Sequence, residues 1–315
     1  MKHVLITGAN GYIGQALARA AAKLLEAKEI QSLTLTDLDF EEQGYHHLPG
    51  LRCISGDLSD KAVLEAVLTP APDTVFHLAS VTSRLAEENF ALGLRVNIDG
   101  TIGLFEHLRQ QGQCPVVVYA SSIGVFGTPL PQHVDDNTPV TPTLSYGTQK
   151  RMVELLLADY SRRGFLDGRS VRLPTVVARP MTAETALSSF ASSLIHALAA
   201  GSTYECPIGP QGWIWLLSLP ACVRHLLTTA SLEAARLPAG RVWNLPAQRL
   251  QVADLVQAAK SRYGRGADAG LSFQSNPQFD QQFAQWPPLT TAIATQLGMH
   301  HDGDAETLIE QALVS

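Results

Sequence analysis

From residue 3 to 180, short runs of β-branched and leucine residues alternate with longer stretches in which apolar side chains recur every three or four positions. The runs HVLIT, SLTLTD, RCISGD, TVFHLA, PVVVYASS and SVRLPTVVA predict six strands, and the periodic stretches predict helices over 12–27, 60–68, 84–111 and 145–163. The strands are apolar almost throughout, which suits a sheet covered by helices on both faces. Strand and helix alternate from the first residues, so the expected fold class is α/β, a doubly wound parallel sheet of Rossmann type. Past residue 180 the rhythm changes: a helix near 184–200, a short strand at 203–206, the run WIWLLS, a helix over 220–231, the run RVWNL and a helix over 251–263 follow with longer irregular joins. Two regions are expected, a larger one over 1–180 and a smaller α/β lobe over 181–315. With no repeat or low-complexity linker between them, they are expected to pack as one unit.

Composition supports a sizeable core: of 315 residues 45% are apolar and 17% charged. A net charge of −6 and a pI near 5.9 offer no long-range attraction to nucleic acid or to an anionic membrane, so neither is expected as a partner. The start MKHVLITGANGYIG runs straight into a strand and does not read as a signal peptide, and no apolar run is long enough for a bilayer span. Cys53, Cys114, Cys206 and Cys222 are scattered without metal-ligand spacing and read as buried thiols in a reducing cytoplasm. The doublets His46/His47 and His300/His301 are sequence neighbours that do not face one ligand, so no metal site is expected.

Chemistry enters at the end of the first strand, where TGANGYIG places Gly8, Gly11 and Gly14 before a helix opening at residue 12. Such glycines allow a positive φ, bring backbone N–H groups against a pyrophosphate, and let the helix approach the sheet. Asp37 follows Gly14 by 23 residues, at the end of the second strand. A carboxylate there accepts hydrogen bonds from both ribose hydroxyls and repels a 2′-phosphate, so NAD is expected rather than NADP. Asp57 and Leu58 end the third strand beside the adenine position, with helix N-capping as the alternative role for Asp57. Ala79 and Ser80 follow the fourth strand, where pyrophosphate and nicotinamide ribose would lie. His77 in the same strand reads as a core histidine.

Tyr146 and Lys150 in SYGTQK are four residues apart and share one helix face, one crossover after Ser121 and Ser122. A tyrosine with an ordinary pKa near 10 acts as a base at neutral pH only beside positive charge, which Lys150 and an oxidised nicotinamide would supply. A serine could hold the reacting hydroxyl while the Tyr146 phenolate takes its proton.

Taken together, GxxGxxG, the acid after the second strand, NIDG at 97–100, SSxxVFG and YxxxK resemble the extended short-chain dehydrogenase/reductases, the NAD-dependent epimerase/dehydratase family, over nearly the whole chain. The resemblance selects Ser122 over Ser121 as the catalytic serine and gives Asn97 a part in ordering the lysine and a water relay. It implies that Gly8, Asn10, Gly11, Tyr12, Ile13, Gly14, Asp37, Asp57, Leu58, Leu78, Ala79, Ser80, Asn97, Tyr146, Lys150, Pro174, Thr175 and Val176 hold the cofactor, and it implies a homodimer through the helices 84–111 and 145–163.

SYGTQK, DYSRRGFLDGR, RLPTVVARP, SSFASSLI and WLLS are more narrowly similar to the D-erythronate dehydrogenase group, which oxidises the 2-hydroxyl of a four-carbon sugar acid with NAD. In that group the Arg-Pro pair leads into a Gly-Lys-Pro-Asn type stretch. Here Arg179 and Pro180 lead into MTAETA, and an acid-proline element after the SSFAS helix is replaced by HALAA. Reaction type therefore transfers more firmly than substrate. The substrate contacts expected are Ser80, Thr82, Ser83, Ser122, Tyr146, Thr175, Arg179 and Ser188, with Ser189 and Trp215 nearby and Trp215 read as core. Arg179 is the preferred counter-ion for a carboxylate, because its fork matches both oxygens.

Other readings fit the same fold. A nucleotide-sugar dehydratase would place acidic groups beside the catalytic serine, whereas Ile123 and Gly124 follow Ser122 here. A nucleotide-sugar epimerase would recycle its cofactor and need basic contacts to a diphosphate, yet the second lobe is poor in lysine. Another sugar-acid or uronate dehydrogenase would share the chemistry. A non-catalytic NAD sensor would have no need of the tyrosine and lysine, which are both present.

Overall fold

In the computed structural model, residues 1–40, 44–180, 189–264, 266–274, 280 and 283–313 are described. Their packing divides the chain into two compact units. One comprises Met1–Val125, Leu144–Arg172 and Val223–Trp243; the other comprises Phe126–Thr143, Leu173–Cys222 and Asn244–Ser315.

The first unit is built on a seven-stranded sheet. Strands β1 (His3–Thr7), β2 (Ser32–Asp37), β3 (Leu51–Ser55), β4 (Thr74–His77) and β5 (Val116–Ser122) pair in parallel in the order β3-β2-β1-β4-β5. Strand β6 (Asp167–Leu173) lies beyond β5, and Val242–Asn244 takes the edge. The order reverses between β1 and β4, which opens a crevice at the carboxyl ends of those strands. Helix α1 (Tyr12–Glu26) carries Leu17, Ala18, Ala21, Ala22 and Leu25 on one buried stripe, and these small residues let it lie close to the sheet. Helix α2 (Lys61–Val67) is capped by Asp60, whose side chain accepts from the Ala62 N–H at 2.8 Å. On the sheet's other surface, Leu104, Phe105, Leu108, Val153 and Leu157 close over Leu5, Val75, Val117 and Tyr119. Each fully buried side chain of this size contributes about 1.5–3 kcal/mol.

Four features differ from the sequence reading. The single helix expected over 84–111 is broken into α3 (Ser83–Glu88), α4 (Phe90–Gly93), a π-helical turn at Leu94–Asp99 and α5 (Gly100–Gln111). Asn89 restarts the helix by accepting from the Leu92 N–H at 3.0 Å, and Gly112 ends it in the left-handed region at φ 71°. SVRLPTVVA is two strands, because Pro174 has no N–H for a ladder; β6 stays in the large sheet and β7 (Thr175–Val177) joins another. RVWNL, read as part of the second lobe, supplies the edge strand beside β6 instead. With residues 223–243 returning to the first unit, one boundary at 180 does not describe the division. Finally, Cys53 and Cys114 are exposed and only Cys206 and Cys222 are buried. Cys53 lies on β3, an edge strand with little cover.

In the second unit, Gln248–Gln251 pairs antiparallel and β7 pairs parallel with the central strand Trp213–Ser218. Phe190–Ala200 supplies Leu194, Ile195 and Leu198 to a core shared with Ile214, Leu216, Leu255 and Leu308. Trp215 is 1% exposed, donates from Nε1 to the Pro287 carbonyl at 2.8 Å and packs on Trp286, as a core residue does. Among the described residues no helix is long and apolar enough to cross a membrane.

Candidate active site

The turn from β1 to α1 leaves no room for side chains at two of its glycines. Gly8 has φ +69°, and a methyl there would lie 2.6 Å from the Ala79 nitrogen; one on Gly14 would lie 1.9 Å from the Gly8 carbonyl oxygen. No side chain caps α1, so the N–H groups of its first turn have no side-chain acceptor at the cap position. Asp37 lies beside this turn: one carboxylate oxygen accepts from the Asn10 N–H and the other from the Leu38 N–H, both at 2.8 Å. Each oxygen keeps a lone pair for a ribose hydroxyl. The chain thus fits a dinucleotide with an unmodified ribose. Asp57 is not the helix cap, a role that falls to Asp60. It accepts from the Ser59 N–H and hydroxyl, both at 2.8 Å, and Arg95 lies 3.7 Å away.

Beyond β4, a buried polar network holds the chain. His77 is 1% exposed; Nδ1 bonds the Thr7 hydroxyl at 2.7 Å and Nε2 the Thr101 hydroxyl at 2.8 Å. Burial, and secondarily the Lys150 charge, pushes its pKa down to about 3, so it is a neutral core histidine. The Thr101 hydroxyl also donates to the Asn97 carbonyl at 2.9 Å. The Asn97 side chain clamps the Val81 peptide, accepting from its N–H at 2.9 Å and donating to its carbonyl at 3.2 Å. Ser80 donates to the same Val81 carbonyl at 3.0 Å. Thr82 and Ser83 open α3 without a side-chain cap, while Arg84 faces solvent, paired with Glu88 at 2.8 Å.

Adjacent positions on β5 point to opposite faces of the sheet, and this separates the two serines. Ser121 is 2% exposed and donates to Glu154 at 2.6 Å; Glu154 in turn holds the Arg172 fork at 2.8 and 2.9 Å. Ser122 faces the other way, its oxygen accepting from the Gly124 N–H at 3.1 Å. A methyl on Gly124 would lie 3.4 Å from that oxygen and 3.7 Å from the Tyr146 ring, so Ser122 and Tyr146 flank one glycine.

Helix α6 (Ser145–Arg162) carries Tyr146 and Lys150. Lys150 is 2% exposed and donates to the Ala120 carbonyl at 2.8 Å, with its nitrogen 4.8 Å from the Tyr119 ring centroid and 5.4 Å from that of Tyr146. Burial pushes its pKa down to about 7, against the pull of Glu154. Burial also raises the Tyr119 phenol, with Tyr146 and Glu154 adding to the shift.

Pro174, Thr175, Val176 and Arg179 belong to the second unit, and Ser188 lies outside the described residues. The Arg179 N–H donates to the Ser192 hydroxyl at 3.0 Å and its carbonyl accepts from His196 at 3.1 Å, so the backbone of this segment is held by Phe190–Ala200. The same unit contains a cavity of about 540 Å³ lined by Trp213, Arg249, Trp286 and Asp280 among others. The Arg249 guanidinium stacks 3.6 Å over the Trp213 ring, and its Nε donates to the Trp286 carbonyl at 2.9 Å. The sequence reading missed Arg249 and also Gln149, a buried amide inside SYGTQK. The position of Gln149 between Tyr146 and Lys150 was the available signal.

Comparison with known proteins adds to this geometry. The model of a family described as NAD dependent epimerase/dehydratase matches residues 4–212. A D-erythronate dehydrogenase of Cupriavidus necator is 38% identical over 98% of this chain and 96% of its own length, and one of Haemophilus influenzae is 31% identical over 98% of each. Among solved structures, a nucleoside-diphosphate-sugar epimerase from Agrobacterium tumefaciens superposes with a TM-score of 0.91 at 33% identity, covering 98% of this chain and 92% of that one. An L-threonine dehydrogenase from Phytophthora infestans shares the fold, with a TM-score of 0.83 at 24% identity over 99% of each.

Proposed function

The chain belongs to the NAD dependent epimerase/dehydratase family and is an NAD-dependent oxidoreductase of CH–OH groups, and we propose that it oxidises the 2-hydroxyl of a small, D-erythronate-like sugar acid to the 2-oxo acid. The observation that carries this reading is the convergence of Ser122, Tyr146 and Lys150 about Gly124 and the Ala120 carbonyl.

In this reading Ser122 holds the substrate hydroxyl and Tyr146, as phenolate, removes its proton. Lys150, whose pKa near 7 leaves it partly charged at neutral pH, supplies the positive charge that draws the phenol's pKa down. Bound NAD would supply the acceptor for the hydride of the carbon that bears this hydroxyl. The first-turn N–H groups of α1 and the Asp37 carboxylate would hold its pyrophosphate and adenosine ribose. Arg179 is the proposed partner of the substrate carboxylate.

The nucleoside-diphosphate-sugar epimerase likeness supports a second reading, in which the same residues oxidise a sugar hydroxyl and the hydride is then returned. A panel of open-chain sugar acids, free uronic acids and UDP-sugars, scored for NADH formation, tests the choice. NADH formation with a sugar acid is the expected result, whereas an epimerised UDP-sugar without net NADH would replace the proposal by the second reading. We also infer a homodimer, supported by Leu85, Phe90, Ile102, Met152 and Leu155, large apolar side chains exposed on α3 to α6, and a cytoplasmic location, with which its four free cysteines agree.

A further inference from the structure

Gln149 is 2% exposed on α6, between Tyr146 and Lys150. Its Oε1 accepts from Asn97 Nδ2 at 2.7 Å, while its Nε2 is buried with no partner among the described residues. The nitrogen end therefore gives no reason for an amide here rather than an isosteric apolar side chain. The oxygen end does. Asn97 Nδ2 uses one hydrogen on the Val81 carbonyl and the other on Gln149, and Asn97 Oδ1 faces the Val81 N–H. Turning the Asn97 amide over would set its nitrogen against an N–H and its oxygen against two acceptors. The Gln149 oxygen and the Val81 peptide thus select one orientation of Asn97 between them.

We propose that Gln149 is a positioning residue that fixes the Asn97 amide and, through it, the segment Leu78–Thr82. That segment is held at two points by one buried network. The Thr7 hydroxyl, 3.3 Å from the Ala79 N–H, bonds His77; His77 bonds Thr101; Thr101 bonds the Asn97 carbonyl; and the Asn97 side chain grips Val81. Gly93 leaves the room this requires, since a methyl there would lie 2.8 Å from Gln149 Nε2 and 3.3 Å from its Oε1. The π-helical turn at Leu94–Asp99 brings Asn97 to face Val81 and Gln149 together. The catalytic consequence rests on the proposed reading that Ser80 and Thr82 border the reacting carbon; the positioning itself does not.

Three variants test it: Gln149→Met, which keeps length and removes the acceptor; Gln149→Glu, which keeps an acceptor oxygen; and Gly93→Ala, which displaces the amide without removing it. Hydrogen exchange of the Val81 amide and fluorescence titration with NADH require no substrate. In Gln149→Met and Gly93→Ala, Val81 exchange should accelerate about tenfold or more, NADH binding should weaken several-fold, and kcat/KM should fall about tenfold or more. Gln149→Glu should restore most of each. Wild-type Val81 exchange in folded Gln149→Met or Gly93→Ala, or a Gln149→Glu protein no better than Gln149→Met, would overturn the proposal. If altered exchange occurs in an enzyme that oxidises no sugar acid, the positioning role stands and the substrate reading fails.

Discussion

The Lys150 ammonium lies over the Tyr146 ring, 5.4 Å from its centroid, while it donates a hydrogen bond back to the Ala120 carbonyl near the end of β5. The charge is fixed by the sheet, and the tyrosine is brought to it by one turn of helix. Burial holds the Lys150 pKa near 7, far below that of an unfolded lysine.

A stability signature follows. Between pH 7 and about 10.5 the unfolded chain holds a proton that folded Lys150 has released, so this residue's contribution to stability rises with pH across that window and is least favourable below it. Lys150→Met should therefore be more stable than wild type at pH 6, by roughly 1–4 kcal/mol, with the gap closing toward pH 10. Urea unfolding without NAD at a series of pH values measures it, and a gap independent of pH would contradict the buried-charge account.

Replacing Tyr146 by Phe keeps the ring against Gly124 and removes the proton acceptor. Turnover should fall by about a thousandfold or more, while NADH affinity changes little. Ser122→Ala should lose less, and Ser121→Ala should lower thermal stability instead, because it breaks the bond to Glu154. Steady-state rates, NADH fluorescence and melting curves separate the three.

Asp37→Asn retains an oxygen for the Asn10 N–H yet removes the negative charge. NADP binding should improve relative to NAD by about tenfold, without loss of fold. Equal discrimination in the variant and the wild type would reassign cofactor choice to another residue.

Arg179→Ala should cost roughly tenfold to a few hundredfold in kcat/KM for sugar acids and little for neutral polyols of equal length. Arg249→Ala is the informative comparison, because its guanidinium borders a cavity, whereas exposed Arg84 is already paired with Glu88. Acid-selective loss in Arg249→Ala alone would move the carboxylate contact there.

Met152 and Leu155 are 47% and 56% exposed on α6. If this face joins two copies, Leu155→Glu should shift the protein toward monomer in sedimentation velocity without lowering its helix content. A wild-type monomer at micromolar concentration would refute the dimer.

Period and punctuation made the first unit readable in sequence: β1 to β5, α1 and α6 fall where apolar runs and glycines predict them. The unread parts depend on tertiary contacts. Nothing in the spacing of 84–111 announces a π turn, which answers to a bond between Asn97 and Val81. RVWNL has the composition of a strand in either unit, and only its neighbour β6 decides. Ser121 and Ser122 are equivalent as letters, and they part company once Glu154 claims one face of β5. Gln149 was legible as a helix residue, while its burial and its single oxygen bond were not.

The edge strand Val242–Asn244 also bears on how such proteins can be recombined. A fragment ending at residue 180 carries every glycine, serine, tyrosine and lysine of the proposed catalytic apparatus, yet leaves β6 without its outer neighbour and its backbone groups open to pairing with other chains. Exchanging substrate lobes between relatives at that obvious junction would replace the edge strand of the recipient's sheet with the donor's. Seams that respect the chain's returns, near 172, 222 and 243, would leave the sheet with its own edge.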